Sequence, residues 1–136
     1  GERLKEVVYW EQGNYVLDAL EHLNHVLRDH RTNEVHPIDP MTLDLMAAIS
    51  RKVEAKRPFE IISGYRSPQT NKALNKQSRG VAKNSYHMQG KAIDLRLPGV
   101  PLRAVRKAAL ELRMGGVGYY AKSDFVHIDS GKVRSW

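Results

Sequence analysis

Three residues far apart in the chain carry the side-chain types that a catalytic metal takes: His87, Asp94 and His127. The run Ser85-Tyr86-His87-Met88-Gln89-Gly90-Lys91-Ala92-Ile93-Asp94 sets a histidine at the end of a polar loop and a carboxylate on the strand that follows. Far along, Asp124-Phe125-Val126-His127-Ile128-Asp129 supplies a second strand-borne histidine with acids on either side. Two imidazoles and one carboxylate suffice for a catalytic zinc, which takes three protein groups and keeps a fourth position for water. The carboxylate offsets part of the metal charge, and imidazole suits its borderline softness. A metal held this way lowers the pKa of bound water to about 7 and polarises a carbonyl. Hydrolysis then needs an acid to take the water's proton and pass it to the leaving amine. Asp124 is the candidate, and it reaches that water only from a turn, because residues three apart on a regular strand point to opposite faces. Asp129 shares a strand face with His127, as a rival base or as a partner that orients a ligand. Spacing alone leaves the metal reading open, since these residues fit no short zinc signature. His22, His25, His30 and His36 read as surface or satisfied core residues.

The elements that must position these groups show in the periodicity. Val16, Leu20, Leu23 and Leu27 recur at helical spacing, which predicts an amphipathic helix from about Asn14 to Asp29. Asp39 is an N-cap with Pro40 at the first helical position, and Leu45, Ile49 and Val53 form the buried stripe of a second helix ending before Pro58. Phe59, Ile61 and Ile62 predict a short strand stopping at Ser63-Gly64, and Ser67-Pro68 opens a third helix carrying Ala73 and Leu74. Residues 79–90 read as a loop. From Lys91 to Leu97 the chain alternates, with Ile93, Leu95 and Leu97 on one face and Ala92, Asp94 and Arg96 on the other, which is taken as exposed. A fourth helix carries Leu102, Val105, Ala109 and Leu112 and breaks at Met114-Gly115-Gly116. Val117 to Tyr120 and Phe125 to Ile128 flank the polar turn Ala121-Lys122-Ser123-Asp124 as a hairpin. Helices mostly first and strands mostly later make the fold α+β.

Length and composition limit the alternatives. At 136 residues the chain has the size of one domain, spanning 1–136, that buries a core without disulfides. It has no cysteine, which excludes thiolate chemistry and cysteine zinc sites. No apolar run approaches the roughly 20 residues of a membrane span, and the start at Gly1 lacks a basic-then-apolar leader, so any export signal lies outside this chain. Lys and Arg number 22 against 15 Asp and Glu, a net charge of +7 that favours anionic partners. The cations are scattered, at Arg51-Lys52, Lys56-Arg57 and Arg103-Arg106-Lys107, without the stripe or interleaved aromatics of a nucleic-acid binder.

Four motifs in order resemble a known family: Ser63-Gly64-Tyr65-Arg66-Ser67-Pro68, the Ser85 to Asp94 run, Gly115-Gly116-Val117-Gly118-Tyr119-Tyr120, and Phe125-Val126-His127-Ile128-Asp129. They are similar to the murein endopeptidase K type of zinc peptidase, related to the D-alanyl-D-alanine carboxypeptidases and to the Hedgehog signalling domain. The likeness also covers Leu23 to Asp29 and Ile38-Asp39-Pro40. It implies a small, mainly antiparallel sheet carrying Zn2+ on His87, Asp94 and His127, with helices packed on one side. It puts the catalytic acid or base at Asp124, where relatives often have glutamate. It places a catalytic or substrate-binding arginine at Arg66, to hold a carboxylate or an oxyanion. The implied activity is hydrolysis of an amide in peptidoglycan stem peptides, at cross-links between two meso-diaminopimelate residues, in the periplasm or at the wall. Carboxylate-rich stems suit a basic protein. The alternatives are a D,D- or L,D-carboxypeptidase of the same fold, or a wall-binding module without catalysis.

Overall fold

A computed structural model describes residues 3–4, 10–11, 14–15, 23–77 and 85–136. Among them the chain is α+β, built on a six-stranded sheet in the order β1-β4-β5-β7-β6-β8. These strands are Arg3–Leu4 (β1), Phe59–Ser63 (β4), Ala92–Arg96 (β5), Gly116–Tyr120 (β6), Phe125–Asp129 (β7) and Arg134–Ser135 (β8). Every neighbouring pair is antiparallel except β6 and β8. A separate two-stranded ribbon pairs Trp10–Glu11 (β2) with Asn14–Tyr15 (β3). Three helices are described over their length: Pro40–Lys52 (α1), Pro68–Gln77 (α2) and Leu102–Leu112 (α3).

Local chemistry explains the element boundaries. The Asp39 carboxylate accepts from the Met41 N–H at 3.0 Å, Pro40 needs no donor, and Arg51 and Lys52 sit favourably at the carboxyl end of α1. Ser67 Oγ accepts from the Thr70 N–H at 3.1 Å and caps α2. α3 ends at Arg113, whose φ of 50° takes the left-handed turn before Met114-Gly115. The alternation in β5 decides the layers. Ile93, Leu95 and Leu97 join Val126 and Ile128 beneath Leu45 and Ile49 of α1 and Val105 and Ala109 of α3, all in one buried cluster.

Two predicted spans change. The first helix does not begin at Asn14, because Asn14 and Tyr15 pair with Glu11 and Trp10 in the ribbon. A cross-strand partner overrides helical spacing there. Residues 23–26 are helical and Leu23 and Leu27 are buried, whereas Val16 and Leu20 fall outside the described residues. Asp29 then turns the chain rather than extending the helix, accepting from the N–H groups of Arg31 and Thr32. Of the loop assigned to residues 79–90, residues 79–84 lie outside the described residues, and the rest contains a 3-10 turn, Tyr86–Gln89, whose N-cap Ser85 accepts from the His87 N–H at 3.1 Å. No helix among the described residues is long and apolar enough to cross a membrane.

Candidate metal centre

His87, Asp94 and His127 come together, each from a different element. The 3-10 turn presents His87, β5 presents Asp94, and β7 presents His127 directly across the ladder from Asp94. One ligand atom from each lies within 4.8 Å of the others. His87 Nε2 is 3.2 Å from Asp94 Oδ1, His127 Nδ1 is 3.0 Å from the same oxygen, and the two rings meet edge on at 5.2 Å between centroids. Asp94 does occupy the face opposite Ile93 and Leu95, but that face is covered rather than exposed. Asp94 is 6% accessible, because the His87 turn and the segment around Arg66 close over it.

The hydrogen bonds on the far side of each ring determine which nitrogen faces inward. His87 Nδ1 lies 2.8 Å from the Gly64 carbonyl, which can only accept, so Nδ1 carries the proton and Nε2 offers its lone pair. His127 Nε2 lies 2.7 Å from Asp129 Oδ2, an acceptor when ionised, so Nε2 is the protonated atom and Nδ1 the free one. Two lone pairs and a carboxylate oxygen therefore converge with no proton of their own between them. Such a donor set suits a cation, and outer partners that fix the tautomer of both rings are what metal-binding histidines require.

By themselves, the same three groups favour a proton in the cation's place. Burial works against ionisation of Asp94, but the adjacent His87 charge and the hydrogen bonds from His127 and His87 outweigh it and hold the carboxyl well below its usual range. Burial likewise opposes charging of His127, yet the hydrogen bonds to Asp129 and Asp94 prevail and raise its pKa. Asp129 is fully buried and is also held low. Its desolvation is overcome by His127, by Arg134 and by the Gly131 N–H.

Arg66 sits beside the cluster, 8% accessible, with Nη2 3.8 Å from Asp94 Oδ2. Its Nη1 donates to Asn71 Oδ1 at 3.1 Å and Nη2 to Ser63 Oγ at 3.4 Å. The buried Nε has no partner among the described residues. Asp124 belongs to the turn before β7, as its proposed role demands, with φ of 58°. Its carboxylate is exposed, and Oδ2 lies 3.5 Å from Arg96 Nη1 at the rim of the same face. Asp129 has no free oxygen to act as a base, since Gly116, Gly131, Arg134 and His127 all donate to it. His25, His30 and His36 stay outside the cluster. His36 stacks on Tyr65 at 4.7 Å, and His22 lies outside the described residues.

Sequence reasoning assigned no role to Arg134 and left Trp136 out of the site. Trp136 tilts against the His127 ring at 5.0 Å, and its indole N–H donates to the Tyr120 hydroxyl at 2.7 Å. A basic residue five positions after Asp129 was the available signal, but only the parallel pairing of β8 with β6 brings it back to that carboxylate.

An α+β domain with two imidazoles, a carboxylate and a guanidinium grouped on one face of a mostly antiparallel sheet is suited to metal-assisted hydrolysis, the chemistry of metallopeptidases. Comparison with known proteins agrees on the class, because the matching family model is that of a peptidase. It is described as Peptidoglycan L,D-endopeptidase MepK, it matches residues 1–136, and the chain belongs to that family. Peptidoglycan L,D-endopeptidase MepK of Escherichia coli (strain K12) is 46% identical over 136 residues, which is all of this chain and 74% of the relative. The protein of the same name from Shigella flexneri gives the same figures. The probable peptidoglycan L,D-endopeptidase MepK of Haemophilus influenzae is 50% identical over 118 residues, covering 86% of this chain and 63% of its own length.

Proposed function

We propose that this chain is a zinc-dependent peptidoglycan endopeptidase that binds its metal through His87 Nε2, Asp94 and His127 Nδ1. The observation that carries this reading is the inward convergence of those three groups with both outer ring nitrogens already engaged. A metal held by these three residues would supply Lewis-acid activation of a water and of the scissile carbonyl. Asp124, at the rim of that face, takes up a proton and returns it to the leaving amine. Its turn position and its exposed carboxylate support this role. Arg66 holds a substrate carboxylate or the developing oxyanion with its inward edge, and the buried Nε without a partner supports that role. Asp129 keeps His127 oriented and takes no proton from water.

The names of the relatives point to an L,D bond in peptidoglycan. The cross-link between two meso-diaminopimelate residues is the bond we assign, and its carboxylates suit the net charge of +7. Such a substrate places the enzyme in the periplasm or at the wall. The single domain over 1–136 is read as having the Hedgehog/DD-peptidase fold, supported by the antiparallel sheet and by the family. Purified peptidoglycan incubated with the zinc-loaded protein, followed by mass spectrometry of released muropeptides, tests the assignment. Products opened at the diaminopimelate cross-link are expected. Release of terminal D-alanine alone would mark a carboxypeptidase, and binding without any product would mark a wall-binding module.

A further inference from the structure

We propose that Arg134 is a positioning residue of the metal centre, acting on His127 through Asp129, an inference that rests on the ligand assignment above. Its Nη1 donates to Asp129 Oδ1 at 3.0 Å and its Nη2 to Oδ2 at 2.9 Å, a fork that grips both carboxylate oxygens. Oδ2 is the oxygen that accepts the hydrogen bond from His127 Nε2–H at 2.7 Å, while Oδ1 also accepts from the Gly116 and Gly131 N–H groups. A carboxylate held only by one imidazole could rotate about its side-chain torsions. Held by the guanidinium and two backbone donors, it has one orientation, and that orientation aims His127 Nδ1 at Asp94.

The guanidinium is itself confined. It lies over the Tyr86 ring at 5.3 Å and the Trp136 ring at 4.9 Å, so one cation touches the residue before His87 and the indole packed on His127. The backbone leaves room for this. A Cβ at Gly116 would lie 2.3 Å from Arg134 Nη1, and one at Gly131 would lie 2.7 Å from the Tyr86 ring. Arg134 thus ties both histidine-bearing segments to a strand outside the ligand set. An arginine that merely fastened β8 would not need to meet the one oxygen that sets the tautomer of His127.

The test measures zinc affinity by competition with a chromophoric chelator, together with the histidine tautomers by long-range proton–nitrogen NMR at a pH where the rings are neutral. Arg134→Ala is expected to weaken zinc binding by about 10- to 100-fold and to turn the single His127 Nε2–H tautomer into a mixture. On a soluble cross-linked muropeptide, kcat should fall by more than KM rises. Arg134→Lys, which keeps the charge but not the fork, should recover part of the affinity. His87→Ala is the reference, and if it retains zinc at wild-type affinity the ligand assignment itself fails. If His87→Ala loses zinc while Arg134→Ala keeps both wild-type affinity and a single tautomer, Arg134 is only a strand fastener and the present proposal is overturned. Should Arg134→Ala not fold, Arg134→Lys and Arg134→Gln carry the test, and wild-type affinity in both overturns it equally.

Discussion

Asp29 lies outside the metal centre, yet the structure makes it the support on which the Arg66 turn rests. Its Oδ1 accepts from the Arg31 and Thr32 N–H groups at 2.8 and 3.1 Å, and its Oδ2 accepts from the Ser67 N–H at 2.8 Å. The residue is 3% accessible. Burial opposes its ionisation, but the hydrogen bonds from the Ser67 N–H, the Thr70 hydroxyl and the Thr32 N–H win, and its pKa is lowered from 3.8 to about 2. A carboxyl whose folded pKa is depressed contributes stability above its unfolded pKa and loses it as pH falls through the folded one. That depression corresponds to about 2 kcal/mol at neutral pH, falling below about 1 kcal/mol at about pH 2.5. Asp29→Asn should therefore be less stable than wild type by about 2 kcal/mol at neutral pH, a shift of about 1 M in the urea midpoint for a domain of this size. The gap should shrink to less than half on acidification to about pH 2.5. Urea titrations of both proteins across this range measure it, and the variant difference cancels the contributions of Asp94 and Asp129. Parallel stability curves, with a gap independent of pH, would refute the assignment of charge-dependent support to Asp29.

Other outcomes follow from the same geometry. Asp124→Ala should keep stoichiometric zinc and an unchanged melting temperature while kcat drops by about 10²- to 10⁴-fold, and unimpaired muropeptide turnover would remove Asp124 from the mechanism. Arg66→Lys should fold with the charge retained but lose the fork to Asn71 and Ser63, so turnover falls more than stability does. Comparing initial rates with thermal melts separates the two. Gly64→Ala should destabilise the fold by about 1 to 3 kcal/mol, because the new Cβ would meet the Leu27 carbonyl oxygen at 2.5 Å, and calorimetry without metal checks this. Chelation should stop hydrolysis and lower the melting temperature, with zinc restoring both.

What could be read from the residue order was chemistry local to it. The Asp39-Pro40 start of α1, the Ser67 cap of α2, the alternation of β5 and the β6–β7 hairpin each depend on a few neighbours, and all four stand in the structure. The three candidate ligands do meet, although spacing alone would not have distinguished them from other acids and histidines. The features that escaped depend on pairing between distant segments. Asn14 and Tyr15 took a strand because Trp10 and Glu11 lie opposite, which helical periodicity cannot register. Asp94 was taken as solvent-facing because strand alternation gives a side but not what covers it. Arg134 drew no attention because its partner is reached only through the parallel β6–β8 pair, and a surface arginine has the same signature in one dimension.

The supports behind the two histidines differ in kind. Asp129 is a side chain, so a single codon change can remove the partner of His127, and Arg134 adds a second point of failure on that side. The partner of His87 is the Gly64 carbonyl, a group that every amino acid possesses. No substitution deletes it, and only displacement of the backbone can withdraw it. One half of the centre is therefore exposed to genetic drift through three codons, His127, Asp129 and Arg134. For the other half, the chemical identity of the support is guaranteed by the polymer itself.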